Sequence, residues 1–153
     1  MAFGFGMGFR FGSRGGGAPA EWLGDELVLD PPLDNPPIWN DTTGNIVVAG
    51  GAATFTAASS GSRLARSSGE DHKFLDDGDY YVTIVIDSIT SGAIMLADNT
   101  GSTYGTAKTT PGTHEFLITG SAGNRFWLRA FGTTTAVVSY FSIRTVIGTP
   151  PGF

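Results

Sequence analysis

Short runs of strand-forming residues, separated by glycine-containing turns, are the feature that most constrains how this chain can fold. From Ile38 onward these runs recur about every 8–12 residues, a spacing typical of all-β sandwiches. The clearest run covers residues 80–87, where large apolar residues such as Val82 and Ile84 alternate with other residues. The 23 Gly and 8 Pro disfavour long helices. The sequence therefore predicts an all-β fold.

We expect about eight antiparallel strands, arranged as a jelly-roll β-sandwich over residues 38–147. In the last strand, Val137, Phe141 and Ile143 are predicted to point inward. Residues 98–101 are predicted to form a turn, and residues 148–153 a C-terminal tail. The predicted strands are residues 46–49, 53–56, 64–66, 80–87, 93–97, a strand holding Phe116 and Ile118, 126–131 and 137–146.

Residues 1–20 form a separate N-terminal arm in which large apolar residues alternate with Gly. In an extended conformation these apolar side chains share one face. Gly loses more backbone entropy on folding than other residues, and aligned Phe side chains are not expected to stay bare in water. The pattern predicts insertion into a protein partner; a disordered tail and a membrane or aggregation role are alternatives. The predicted docking residues are Phe3, Phe5, Met7, Phe9, Arg10 and Phe11.

The net charge of −5 is unevenly distributed along the chain. The arm contains Arg10 and Arg14 without an acid, whereas residues 21–41 contain six acids without a base. Residues 21–37 also hold two Pro-Pro pairs, so we predict an acidic, extended connector, with a short first strand near Leu27 and Leu29. The remainder is nearly balanced. We therefore expect no basic face and no nucleic-acid partner.

The low content of charged residues, 15%, suggests that other protein covers part of the surface, as in a homo-oligomer. The chain has no Cys, which excludes disulfides and thiolate metal sites. No apolar run approaches the length of about 18 residues that a membrane helix needs, so membrane insertion is not expected. The N-terminus does not have the pattern of a secretory signal.

Sequence motifs of enzymes are absent. The chain has no Gly-x-Ser-x-Gly, no phosphate-binding loop and no His-Glu-x-x-His motif. His114 is followed by Glu115 but by no second His, and it is interpreted as an ordinary surface or half-buried residue. We therefore predict a chain that is not an enzyme, with no catalytic residue, no cofactor and no assigned metal.

Three carboxylates, Asp76, Asp77 and Asp79, crowd one predicted turn. Asp residues favour turns through hydrogen bonds to the nearby backbone, which explains the cluster without chemistry. A structural calcium ion that also uses Asp98 and Asn99 is the alternative, because calcium requires several oxygen ligands around one point.

Aromatic side chains on the strand faces are candidate sites for sugar binding, because the C–H groups of a pyranose stack on an aromatic ring. Packing against a neighbouring subunit is the alternative for Trp127 and Phe131. Which of Phe126 and Trp127 belongs to the core is also left open. The candidate stacking residues are Trp127, Phe131, Tyr81, Tyr140 and Tyr104.

Residues 39–146 resemble the carbohydrate-binding-module-like jelly rolls of bacterial glycosidases and many phage virion proteins. The resemblance covers about 70% of the chain and implies the fold more strongly than the function. Its motifs are, in order, a Trp and a Thr-Gly turn, Ile-x-x-x-Gly-Gly-x-Ala (46–53), Asp-Tyr-Tyr-Val-Thr-Ile (79–84), Ile-Thr-Ser-Gly-Ala-Ile (89–94), Thr-Pro-Gly-Thr-His-Glu-Phe (110–116), Arg-Phe-Trp-Leu-Arg-Ala (125–130) and Val-Ser-Tyr-Phe-Ser-Ile-Arg (138–144).

The Phe/Gly arm resembles the N-terminal anchors of small phage or gene-transfer-agent structural proteins. Together the two resemblances imply a non-enzymatic virion fibre, spike or decoration protein. Such a protein would assemble in the host cytoplasm, dock through its arm to a capsid, portal or tail component and stay exposed on the particle. A carbohydrate-binding module that recognises a cell-surface glycan is the alternative.

Overall fold

The computed structural model of the chain describes residues 20–41, 45–66 and 72–152. This part of the chain contains strands, one short 3-10 turn and no α-helix, which confirms the predicted all-β class. No helix in it is long and apolar enough to span a membrane. The elements are β1 (Leu23–Glu26), the 3-10 turn (Pro36–Ile38), β2 (Trp39–Asp41), β3 (Ile46–Ala49), β4 (Ala52–Ala58), β5 (Arg63–Arg66), β6 (Gly78–Asp98), β7 (Thr103–Lys108), β8 (Gly112–Gly120) and β9 (Phe126–Val146).

Two strands of 21 residues each, β6 and β9, run antiparallel to each other and organise the fold. The second half of β6 and the first half of β9 lie between β7 and β5, and β2 pairs with β5; we call this group the first sheet. In the second sheet, β8 pairs with β6, β1 and β4 pair with β9, and β3 pairs with β4. All of these pairings are antiparallel, as in the predicted sandwich.

The β6–β9 ribbon passes from one sheet to the other through a bend at Gly92. Register shifts between Val85 and Ala93 mark this bend, since bulges kink a strand and increase its twist. Gly92 has a φ of +68°, and a Cβ at this position would lie 2.4 Å from the hydroxyl oxygen of Thr134. The buried Thr134 hydroxyl accepts from the Ala93 N–H (3.3 Å) and lies 3.1 Å from the Ala93 carbonyl oxygen. Gly is therefore required at position 92, where the β6–β9 ribbon bends.

Inward side chains of the two sheets form one core. The rings of Phe126 in the first sheet and Phe141 in the second have centroids 6.2 Å apart. Val138 is buried, whereas Val137, which was predicted to point inward, is partly exposed. The inward prediction for Val137 was wrong because a bulge around Ser139 shifts the alternation of β9 by one residue.

The predicted strands agree with the structure in location but not in continuity. β3 and β4 flank Gly50 and Gly51, both at positive φ, as the Gly-Gly pair predicted. The predicted strands 80–87 and 93–97 are parts of the single strand β6, and 126–131 and 137–146 are parts of β9. Strand β7 was not predicted. The Gly residues inside the two long strands were predicted to lie in turns, whereas in the structure they lie at the bend of continuous strands.

Residues 21–37, predicted to be an extended connector, contribute to the sandwich. The first strand is β1 rather than a strand at Leu27 and Leu29, and it pairs with β9. Val28 and Leu33 are buried in the core, whereas Leu29 is 56% exposed. Burial of Val28 and Leu33 thus holds this segment on the core, although its Pro pairs favour an extended chain.

Asp30 fixes the turn that brings this segment onto the core. Its buried carboxylate accepts hydrogen bonds from the backbone N–H groups of Asp34 (3.2 Å) and Asn35 (3.0 Å) and from the indole Nε1 of Trp39 (2.7 Å). Although burial opposes ionisation, these hydrogen bonds lower the pKa of Asp30. Asp30, an acid of the predicted extended connector, therefore stabilises the fold.

Candidate functional site

The outer side of the first sheet carries a row of cationic and aromatic side chains, which we call the arginine face. Along β9, Phe126, Leu128 and Ala130 are buried in the core, so the alternate positions face outward. Phe126 is thus the core residue of the Phe126–Trp127 pair. The arginine face consists of Arg63, Lys73, Arg125, Trp127, Arg129 and Phe131.

The arginine face gathers four of the nine Lys and Arg residues of an acidic chain. Arg63 lies directly opposite Arg129 in the β5–β9 register, and Lys73 pairs with Arg125 through an isolated β-bridge. The β6 residues opposite Arg129 and Trp127 are Met95 and Ala97, which carry no charge. The expectation of no basic face was therefore wrong, because charges balanced along the sequence are segregated in space.

The aromatic residues of the arginine face differ in exposure. The guanidinium carbon of Arg63 lies 4.2 Å from the ring centroid of Trp127, which is 9% exposed. This cation–π contact covers the indole ring. Phe131 is 50% exposed. The Nε atom of Arg129 is buried and has no hydrogen-bond partner among the described residues. Phe131 is therefore the open ring of this face.

The outer side of the second sheet carries a different set of side chains, which we call the tyrosine face: Trp22, Tyr81, Glu115, Tyr140 and Arg144. Tyr81 pairs with Arg144, and Tyr140 pairs with Val85, four residues further along β6. The two tyrosines therefore stand about 13 Å apart on neighbouring strands, and both are partly exposed. Thr83, paired with Glu115, lies between them. The face thus has two separated rings with polar groups in between.

Two contacts fix the orientation of Tyr81. The edge of the Trp22 ring packs against it, with ring centroids 4.9 Å apart at an angle of 82°. Burial is the main reason that the pKa of Tyr81 is raised to about 12. The hydrogen bond to Glu115 and the negative charge of Glu115 also contribute to this rise. Tyr81 is therefore a neutral phenol that donates to the Glu115 carboxylate.

Tyr104 lies apart from both faces, near the start of β7, in a cluster around Asp98 at the end of β6. Its hydroxyl donates to the Asp98 carboxylate (2.6 Å), and its ring centroid lies 5.6 Å from that of Phe74. Asp98 also accepts from the Thr100 N–H (2.9 Å) and the Asn124 side-chain amide (3.0 Å). Burial opposes ionisation, but these hydrogen bonds lower the pKa of Asp98. Tyr104 therefore closes the turn predicted at residues 98–101.

In the carboxylate cluster at residues 76–79, Asp76 makes nearby backbone contacts, whereas the carboxylates of Asp77 and Asp79 contact residues 45 and 40 positions away along the chain. The backbone N–H and carbonyl of Asp76 both bond the Tyr80 hydroxyl (3.0 and 2.7 Å), Asp77 accepts from the Ala122 N–H (2.9 Å), and Asp79 accepts from the Thr119 hydroxyl (2.8 Å). In the part of the chain that the structure describes, no three His, Cys, Asp or Glu residues are grouped to hold a metal ion.

The structure separates the five predicted glycan-stacking residues into three places. Trp127 and Phe131 lie on the arginine face, Tyr81 and Tyr140 on the tyrosine face, and Tyr104 in the Asp98 cluster. The sequence reasoning missed Arg63, Arg129, Trp22 and Glu115. The alternation of Arg125, Trp127, Arg129 and Phe131 was the available signal for Arg129, whereas Arg63 joins the face only through the β5–β9 register. The predicted docking residues of the arm, Phe3, Phe5, Met7, Phe9, Arg10 and Phe11, lie outside the described residues.

No protein-family model and no curated protein matches the chain. Among solved structures, the chain is similar to one described as "Mannan Binding Module from Man5C in bound conformation", with 16% sequence identity and a TM-score of 0.48. The similarity covers 75% of this chain and 97% of that chain.

Proposed function

We propose that the chain is a non-catalytic glycan-binding domain and that the tyrosine face is its binding surface. The observation that carries this proposal is the pair of partly exposed rings, Tyr81 and Tyr140, on one outer sheet face with Thr83 and Glu115 between them. Aromatic rings offer the apolar surface that pyranose C–H groups stack on, and the polar groups offer partners for sugar hydroxyls.

The arrangement suits an uncharged chain of sugars better than a compact ligand. Two rings about 13 Å apart on a strand-based surface can contact separate sugar units of one polysaccharide. Trp22 and Glu115 hold Tyr81 in place in the absence of ligand, which reduces the entropy that binding must remove. Glu115 is exposed, so its carboxylate can accept from a sugar hydroxyl while it accepts from Tyr81.

The test is the variant Tyr140→Ala, assayed by affinity electrophoresis against a panel of soluble neutral polysaccharides. We expect at least one polysaccharide to retard the wild-type chain and the variant to bind it about tenfold more weakly, equivalent to about 1.4 kcal/mol. Phe131→Ala, which removes an exposed ring from the opposite side of the sandwich, is the matched control and should bind like the wild type. Equal retardation of Tyr140→Ala, or no retardation by any polysaccharide, would contradict the proposal.

A second candidate function is supported by the Phe/Gly alternation of the arm. We propose that residues 1–20 anchor the chain in a capsid, portal or tail component of a phage-like particle, and that the sandwich is displayed outward as part of a homo-oligomeric fibre, spike or decoration protein. Burial of each Phe would contribute about 1.5–3 kcal/mol. The two candidates are compatible, because a displayed domain can also bind a glycan.

Deletion of residues 1–12 tests the anchoring role. The truncated chain is expected to be missing from purified particles while its circular dichroism spectrum and unfolding midpoint match those of the full chain. Incorporation of the truncated chain at the wild-type level would refute the anchoring role and leave the glycan-binding proposal unaffected.

A further inference from the structure

We propose that the arginine face is a second binding site, and that its ligand is a polysaccharide carrying carboxylate groups, such as a polyuronate. This site lies on the opposite side of the sandwich from the tyrosine face and shares no residue with it. The proposal therefore stands independently of the neutral-glycan function.

The first support is a pair of like charges on neighbouring strands. Arg63 and Arg129 are directly opposite each other across β5 and β9, an arrangement that like charges disfavour. An anion seated between the two guanidinium groups would reduce their repulsion.

The second support is the shape of the donors. A guanidinium group presents N–H donors in a planar fork that matches a carboxylate with two parallel hydrogen bonds. The Arg63 guanidinium carbon lies 4.2 Å from the Trp127 ring centroid. This contact restricts the mobility of the fork before any ligand arrives.

The third support is the repeat along β9. Outward residues of a strand are spaced about 6.6–6.8 Å apart, and Arg125, Trp127, Arg129 and Phe131 place cations and rings alternately along that line. Phe131 is 50% exposed and open to C–H stacking. A linear polymer that carries sugar rings and anionic groups offers partners for both the open Phe131 ring and the cations of the row.

Peptides and nucleic acids fit these observations less well. Extended peptides dock on sheet edges, where backbone groups are available, whereas the arginine face presents side chains from the middle of a sheet between β5 and β6. Nucleic-acid-binding domains are usually strongly basic overall, whereas this chain has a net charge of −5. Both ligand classes are included as outcomes of the test.

The experiment compares polygalacturonate with its fully methyl-esterified form, using the full chain and isothermal titration at low salt. Esterification keeps the sugar backbone but removes the carboxylate charge. We expect wild-type binding to polygalacturonate only, weakened at least tenfold in Arg129→Gln. Lys108→Gln removes the same charge at a residue that lies over the Phe116 ring, away from the arginine face, and should bind like the wild type.

Two further variants separate a binding defect from a folding defect. Arg63→Lys keeps the charge but removes the planar fork, so a severalfold loss with an unchanged unfolding midpoint is expected. Tyr140→Ala should bind polygalacturonate normally, even if the tyrosine face proves to have no ligand. Equal binding of the esterified polymer, wild-type affinity of a folded Arg129→Gln, or tighter binding of a poly-glutamate peptide or single-stranded DNA would overturn the proposal.

Discussion

The arginine face and the tyrosine face both use outward residues of β9, yet they present different chemistry. On the tyrosine face the charged groups have partners within the domain: Glu115 accepts from Tyr81, and Arg144 donates from Nε (3.0 Å) and Nη2 (2.7 Å) to the Gly24 carbonyl. On the arginine face, Arg63 lies over an aromatic ring and the Nε of Arg129 has no partner among the described residues.

This difference indicates that the tyrosine face is set up to bind through rings and hydroxyls, and the arginine face through charge. It also shows how a small sandwich can offer two surfaces. Outward positions of β6 and β9 belong to one face before the bend at Gly92 and to the other face after it. The bend therefore lets one β-ribbon supply both faces.

The largest effect is expected from Gly92→Ala, which tests whether both faces depend on this bend. The new Cβ would lie 2.7 Å from the Thr134 Cα and 2.7 Å from the Thr133 carbonyl oxygen, at a φ of +68°. Left-handed strain and overpacking together should lower the free energy of unfolding by about 3 kcal/mol or more. Urea denaturation measures this change, and binding at both faces should weaken together.

Gly101→Ala is the matched control for this variant. Gly101 has a φ of +88°, but a Cβ there meets nothing within 4 Å, so only the conformational strain applies, about 1–2 kcal/mol. If Gly92→Ala were no more destabilising than Gly101→Ala, the close approach of Thr134 would not be what requires Gly at position 92.

A smaller effect is expected from salt, which should weaken ligand binding at the arginine face more than at the tyrosine face. Raising sodium chloride from about 50 to about 200 mM should weaken polygalacturonate binding on the order of tenfold, because binding of a polyanion to several cations releases counterions. Binding of a neutral polysaccharide at the tyrosine face should change less than about twofold. Titrations of the same preparation at several salt concentrations measure both responses, and equal responses would remove the proposed chemical difference.

The smallest effect is expected from Asp98→Asn, at a site that supports neither face directly. Loss of charge-assisted hydrogen bonds should reduce stability at neutral pH by about 1 kcal/mol, with ligand binding at both faces unchanged. Because the folded-state pKa of Asp98 is lowered, its contribution is full above the unfolded-state pKa of about 3.9 and is lost as pH falls through the folded-state pKa.

Thermal unfolding measured from neutral to acid pH tests the direction of this pH dependence. The wild type should lose its stability advantage over Asp98→Asn as pH falls below about 4. A constant difference between the two proteins down to acid pH would show that ionisation of Asp98 does not stabilise the fold.

Much of the fold was predictable because local signals agreed with the tertiary outcome. The Gly50-Gly51 pair marked the β3–β4 turn, and strict alternation marked the first half of β6. The length of β6 and β9 was not predictable, since Ser91-Gly92 has the same local signal at a bend as at a turn. The packing of residues 21–37 was missed for a similar reason: nothing near Asp30 in the sequence identifies Trp39 as its partner.

The all-β class, the alternation in the first half of β6 and an aromatic content suited to binding follow from the sequence pattern alone. Which outward residues meet depends on the whole fold, because strand register joins residues as distant as Arg63 and Arg129 while separating Tyr81 from Trp127. Charge balance along the chain therefore carried no information about charge balance on a surface. That balance is set by cross-strand pairing, which depends on the whole sheet.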